Sequence, residues 1–212
     1  MTQEIRTTTG RPVGARGRKT RAQLLACLEE LLDEAGYHAT NVVSVARRAR
    51  TSPATFYQYF PDVDAAVLEL AGTAVQEGSD GLVYAEITGW WGGVRRAAED
   101  TVDAFFGFWQ RHQVVLRVVD LRSAEGDSRF ADVRARVLSG LRGHLEYAIT
   151  SHPSVSGAPG DPIAEAEALT ALFAAAAGHR DSVAAGSDVR RMLAHLLTTA
   201  VTRGPVLWVP TA

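Results

Sequence analysis

The 212-residue chain has one cysteine, two methionines and a single lysine, Lys19, among its 22 basic residues. With one thiol, no intrachain disulfide framework can form. Cys27 sits among Leu24, Leu25, Leu28 and Leu31, the setting of a buried and inert thiol. Long apolar runs are also missing. The longest, ALTALFAAAAG over residues 168–178, falls far short of the roughly 20 residues that cross a bilayer. The N-terminus has no apolar core of the secretory type, so the expected location is the cytoplasm, with no membrane partner. Catalytic signatures are absent as well: there is no HExxH, GxSxG, Walker phosphate loop or strand-borne GxGxxG. The six histidines form no pair at metal-ligand spacing beside carboxylates. The expectation is a protein with no enzymatic activity, no metal and no cofactor. Abundant arginine and alanine point to a GC-rich bacterial genome.

What is there is unevenly charged. Residues 1–60 carry nine Lys and Arg against five Asp and Glu, while residues 61–212 carry thirteen against nineteen. A basic first third on an acidic remainder suggests a polyanion-binding head on a body with another task. Residues 1–18 show little apolar periodicity and read as a flexible basic arm. From about Thr20, Leu24, Leu25, Leu28, Leu31, Leu32 and Ala35 follow amphipathic-helix spacing up to Gly36. Asn41 is a good N-cap for a second helix with Val42, Val45, Ala46 and Ala49 on its apolar stripe. Ser52 followed by Pro53 is a strong start signal for a third, two or three residues later. This is helix-turn-helix spacing, over 19–62.

The remainder, 63–212, also reads as helical: a helix capped by Asp62 to about Glu77, then 94–111, 114–124, 130–150, 163–178 and 189–203. A Gly-rich break with aromatic residues precedes Val94, and SHPSVSGAPGDP over 151–162 is the clearest loop. No strand alternation persists. The predicted fold is all-α, with about nine helices.

The third helix, within TSPATFYQYFPD over 51–62, is dense in aromatic residues. In a helix-turn-helix the second helix of the motif enters the major groove and reads bases from its N-terminal end. Phe56 and Phe60, at i and i+4, can anchor it, leaving the hydroxyls of Tyr57 and Tyr59 for phosphates. Pro53, Ala54 and Thr55 lie where base edges come within reach. In the arm, Arg11, Arg16, Arg18, Lys19 and Arg21 either enter a narrow minor groove or form a solvated tail.

The run TNVVSVARRARTSPATFYQYFPDVDAAVLELA resembles the signature of the TetR family of bacterial transcriptional regulators, and the likeness covers roughly Thr20 to Leu70. The resemblance implies an all-helical homodimer with N-terminal DNA-binding heads and a divergent body, here 63–212, for ligand binding and dimerisation. Three positions depart from the family pattern. Arg50 stands where the turn usually has Gly, and a left-handed backbone there would cost about 1–2 kcal/mol. Val63 replaces a common phosphate-contacting Lys, and Val43 a position that is often a base-contacting Arg. The candidate DNA-binding set is Arg16, Arg18, Lys19, Val43, Arg47, Arg48, Arg50, Ser52, Pro53, Ala54, Thr55, Tyr57, Gln58 and Tyr59.

In the body, Val189, Met192, Leu193, Leu196, Leu197, Ala200 and Val201 form one helical stripe, which with Leu169 and Phe173 serves either a dimer interface or the monomer core. The family resemblance favours an intersubunit four-helix bundle. Trp90, Trp91, Phe105, Phe106 and Trp109 are either core or the apolar wall of an effector pocket, with Asp120 and Arg122 as polar candidates. The expected function is a sequence-specific regulator: a repressor released from a palindromic double-stranded DNA operator by a small, partly hydrophobic ligand. An activator, a ligand-independent regulator, or a helical ligand-binding protein whose head no longer binds DNA are the alternatives.

Overall fold

A computed structural model describes residues 7–87, 89–151, 161–178 and 186–203. It contains α1 (Ala15–Ala35), α2 (Val42–Arg48), α3 (Pro53–Tyr57), α4 (Val63–Ser79), α5 (Val94–Ala124), α6 (Ser128–Ser151), α7 (Pro162–Gly178) and α8 (Gly186–Arg203). Two short 3-10 turns, Leu82–Tyr84 and Gly89–Trp91, occupy the Gly-rich break before α5. There is no β-strand among the described residues, and none of their helices is long and apolar enough to cross a membrane.

The fold is all-α, as the periodicity predicts, with eight α-helices among the described residues where about nine are expected. The segments 94–111 and 114–124 are one helix of 31 residues. The polar trio Arg111, His112 and Gln113 interrupts the apolar stripe, yet it contains no Gly or Pro to break a helix. Arg111 and His112 instead reach sideways to Glu77 of α4, His112 Nε2 at 2.7 Å from Glu77 Oε2. Burial raises the Glu77 pKa, but the hydrogen bonds from His112 and Arg111 outweigh it and hold the carboxyl below its usual range. α1 starts at Ala15, inside the stretch 1–18, and Val13 ahead of it is buried. Most of the loop predicted over 151–162 lies outside the described residues.

The described residues fall into two compact units, one drawn from 7–73 and 114–133, the other from 74–113 and 134–203. In the first, Leu24, Cys27, Leu28, Val45, Ala46, Phe56 and Phe60 make one buried cluster. Cys27 is the buried thiol its neighbours predict. In the second, Phe105, Phe108, Leu141, Leu145, Ile149 and Phe173 are each fully enclosed. There α4 and α6 cross at glycines. A Cβ on Gly140 would collide with the Gly78 backbone, and one on Gly78 with the Val137 carbonyl.

Candidate nucleic-acid interface

α2 begins at Asn41 with a reciprocal cap. Ser44 N–H donates to Asn41 Oδ1 at 3.0 Å, and Asn41 N–H donates back to Ser44 Oγ at 3.1 Å. α2 ends in a left-handed residue, Arg50, at φ +53°. Around it, Arg50 N–H donates to Arg47 O and Thr51 N–H to Ala46 O, the paired bonds of a Schellman ending. Arg50 thus takes the conformation a glycine would normally supply, as its place in the turn suggests.

α3 then starts as its sequence predicts. Ser52 Oγ accepts from Thr55 N–H at 3.2 Å, with Pro53 in the first turn. Phe56 is fully buried, Phe60 is nearly so, and their rings lie 5.4 Å apart. Arg21, ion-paired with Glu69, lies 4.9 Å over the Phe60 ring. This anchor leaves the other face outward. Ser52, Pro53, Ala54 and Gln58 are exposed, Thr55 is half-buried, and Tyr57 and Val43 are 52% and 60% exposed. Arg16, Arg18, Lys19, Arg47 and Arg50 are exposed too. At the start of α4, Ala65 N–H donates to Asp62 Oδ1 at 2.7 Å, the predicted cap.

Two candidates sit differently from expectation. Arg48 makes a bidentate pair with Glu34, both bonds 2.6 Å, and reaches Glu30 at 3.5 Å. The hydrogen bonds from Arg48 lower the Glu34 pKa, and the guanidinium is held firmly charged in return. Its charge is already matched by α1, because Glu30 and Glu34 lie one turn apart beneath it. Tyr59 is half-buried rather than projecting, and a Cβ on Gly17 would lie 3.2 Å from its hydroxyl. The sequence shows neither partner, since both lie on α1.

The effector candidates are dispersed. Phe105, Phe106 and Trp109 are buried and pack on one another and on Phe173, with Phe105 centroids 6.0, 5.7 and 5.5 Å from Phe106, Trp109 and Phe173. These rings fill core. The side chain of Trp91 lies outside the described residues, and Asp120 belongs to the other compact unit. Arg122, also in that unit, is committed to carboxylates: Glu125 at 2.5 Å, Asp64 at 3.1 Å and Asp127 at 3.3 Å. Arg129 joins Asp64 and Asp127, and Tyr37 donates to Asp64. Burial and that bond to Asp64 push the Tyr37 phenol up to about 12.

Sequence reasoning missed His144 of α6. Its ring stacks on Tyr84 at 4.9 Å and lies 5.5 Å from Trp90. Thr101 gives its one hydroxyl proton to Ala97 O at 2.8 Å, so His144 Nε2, 3.1 Å from Thr101 Oγ1, is the donor to it. Burial lowers the imidazole pKa to about 4, so the ring is neutral. The adjacent Trp90 indole N–H is buried with no partner. Only the spacing of His144 from Leu141, Leu145 and Ala148 hinted that it faces inward.

The predicted dimer stripe divides. Leu169, Phe173, Leu193, Leu197 and Ala200 are buried within their own chain, so a second copy cannot cover them. Outward on α7 and α8 point Leu172 (48% exposed), Met192 (57%) and Leu196 (39%), with Val189 half-buried. A groove of about 610 Å³ beside them is lined by Arg95, Glu99, Asp188, Arg191, Met192 and His195.

Comparisons with known proteins agree with this architecture. The sequence profile of the tetR family of bacterial regulatory proteins matches residues 24–70, and that of the tetracyclin repressor-like C-terminal domain matches 82–206. No curated protein sequence matches. Among solved structures, a transcriptional regulator of Rhodococcus sp. Rha1 superposes with a TM-score of 0.65 at 18% identity, over 88% of this chain and 98% of that one. The fatty acid degradation regulator FadR of Bacillus halodurans gives 0.62 at 14%, over 86% and 94%. FadR of Bacillus subtilis, solved in complex with stearoyl-CoA, gives 0.60 at 15%, over 86% and 98%. At such identities these likenesses show the shared fold alone. With both profiles matched, spanning more than half of its length, this chain belongs to the TetR family of bacterial transcriptional regulators.

Proposed function

We propose that the protein is a homodimeric repressor that reads a palindromic operator with α3 and releases it when a small, partly hydrophobic ligand enters the body. The carrying observation is α3 itself, pinned by Phe56 while Pro53, Ala54, Tyr57 and Gln58 stay exposed. Pro and Ala suit thymine methyls, Thr55 a base or phosphate, and Tyr57 a phosphate. Arg16, Arg18, Lys19, Arg47 and Arg50 supply counter-charge. Five residues of helix are too few for tight binding alone, so two copies reading two half-sites are required. The apolar face of Leu172, Met192 and Leu196 supports that pairing. For the effector, the Bacillus subtilis neighbour solved with stearoyl-CoA suggests a long-chain acyl-CoA. The unpartnered Trp90 indole N–H offers a donor to a ligand oxygen. Such a regulator works in the cytoplasm, where the DNA is.

Footprinting on the DNA flanking the gene, with and without stearoyl-CoA, tests this. The expected result is two symmetric protected half-sites about one helical turn apart, roughly 34–36 Å, or a multiple of it, both lost when the acyl-CoA is added. A single unpaired half-site would end the dimeric reading. Protection unmoved by the acyl-CoA would end that effector class.

A further inference from the structure

We infer that Thr8, in the N-terminal segment, is a positioning residue for the recognition helix, acting as a C-cap supplied from 49 residues away. The inference rests on α3 being the element that meets DNA. A helix of five residues has almost no internal partners for its last carbonyls. Gln58 N–H uses Ala54 O, and Tyr59 and Phe60 N–H both use Phe56 O, which leaves the carbonyls of Tyr57 and Gln58. Thr8 meets both. Its N–H donates to Gln58 O at 2.9 Å, and its hydroxyl lies 2.9 Å from Tyr57 O and 3.3 Å from Gln58 O.

Thr8 is itself held in a closed turn. Thr7 N–H donates to Arg11 O and Gly10 N–H to Thr7 O, both at 2.8 Å, and Arg11 N–H donates to Thr7 Oγ1 at 3.1 Å. Gly10 closes this turn at φ +81°, a backbone that favours glycine. The turn is moored to α1 next door. Val13 is buried, its carbonyl accepts from Arg18 Nη1 at 3.0 Å, and a Cβ on Gly17 would lie 2.6 Å from Val13 Cγ1. One continuous path therefore runs from the first turn of α1 through Val13 and Thr8 to the end of α3. That end carries Tyr57 and Gln58, whose exposed side chains belong to the candidate DNA face. Residues 7–13 act here by holding the reading helix in register. The arginines and lysine that follow, Arg16, Arg18 and Lys19, are presented from a helix rather than from a free arm.

Three variants of the full-length protein separate the contributions. Thr8→Val removes the hydroxyl at equal volume, Thr8→Ser restores it, and Thr8→Pro removes the N–H as well. In the DNA-free protein, amide hydrogen exchange over 54–60 should speed up several-fold in Thr8→Val and further in Thr8→Pro, with Thr8→Ser like the wild type. The amides of 24–32 in α1 should not change. On DNA flanking the gene, Thr8→Val should lose roughly five- to tenfold of its preference over a scrambled fragment, the scale of one net hydrogen bond. The salt slope should stay put, because no charge is removed. Unchanged exchange over 54–60 in Thr8→Val would overturn the inference. A wild type without any DNA preference would instead defeat the DNA-reading function, and the exchange data would still decide Thr8.

Discussion

At Arg50 the backbone stands at φ +53°, and the Schellman bonds around it show why it must. An L-residue there costs about 1–2 kcal/mol that glycine would not. Arg50→Gly should therefore raise the unfolding free energy by about 1 kcal/mol while removing an exposed cation from the candidate DNA face. Paired denaturation and salt titrations check this, the second expected to show a log–log slope smaller by about one. Equal stability with unchanged slope would mean that Arg50 is neither strained nor near phosphate. At this scale the sequence is legible where a local rule applies. Asn41, Ser52, Pro53 and Asp62 all announce helix starts, and all lie at them. It is illegible where a distant partner decides. Arg48 resembles a DNA contact until Glu34 and Glu30 appear beside it, and Arg122 resembles a pocket residue until Asp64 and Asp127 do.

At the scale of elements, periodicity gives the existence of helices but not which apolar face points where. On α8 the i, i+3, i+4 stripe reads as one surface. In the structure Leu193, Leu197 and Ala200 turn inward, whereas Met192 and Leu196 turn out. A stripe wider than one contact face serves two neighbours, and only the packing divides it. The double variant Met192→Glu, Leu196→Glu should keep the protomer folded, since both side chains are exposed, and yield a monomer at micromolar concentration in sedimentation. A variant that stays dimeric would place the interface elsewhere. Small residues carry an equally specific message. Gly140→Ala forces a methyl into the Gly78 backbone where α4 crosses α6, and should cost about 1–3 kcal/mol in thermal or denaturant unfolding. No pattern of spacing foretells that crossing, because it depends on two helices meeting.

For the whole molecule, the partly buried His144 ties stability to pH. Its folded pKa of about 4 lies below the ordinary 6.5, so between these values the unfolded chain binds a proton that the native state refuses. Stability is therefore full above about pH 6.5 and falls as the pH drops towards 4, by about 2–3 kcal/mol on this account. His144→Phe, which keeps a ring against Tyr84 and Trp90, should flatten the profile in that window. An unaltered slope would assign the pH dependence elsewhere. Of the whole, the all-α class and the helix-turn-helix were written in local sequence, whereas the way the body uses its aromatic residues was not. Rings that fill a core and rings that line a pocket have the same spacing. The central claim is that the exposed face of α3 reads a specific DNA site. Its most direct test is a salt-dependent titration of the full-length protein against the DNA flanking its own gene, with a scrambled fragment as control. Tight binding to the native fragment alone, weakening steeply as salt rises, is the predicted result. Equal and weak binding to both fragments would contradict it.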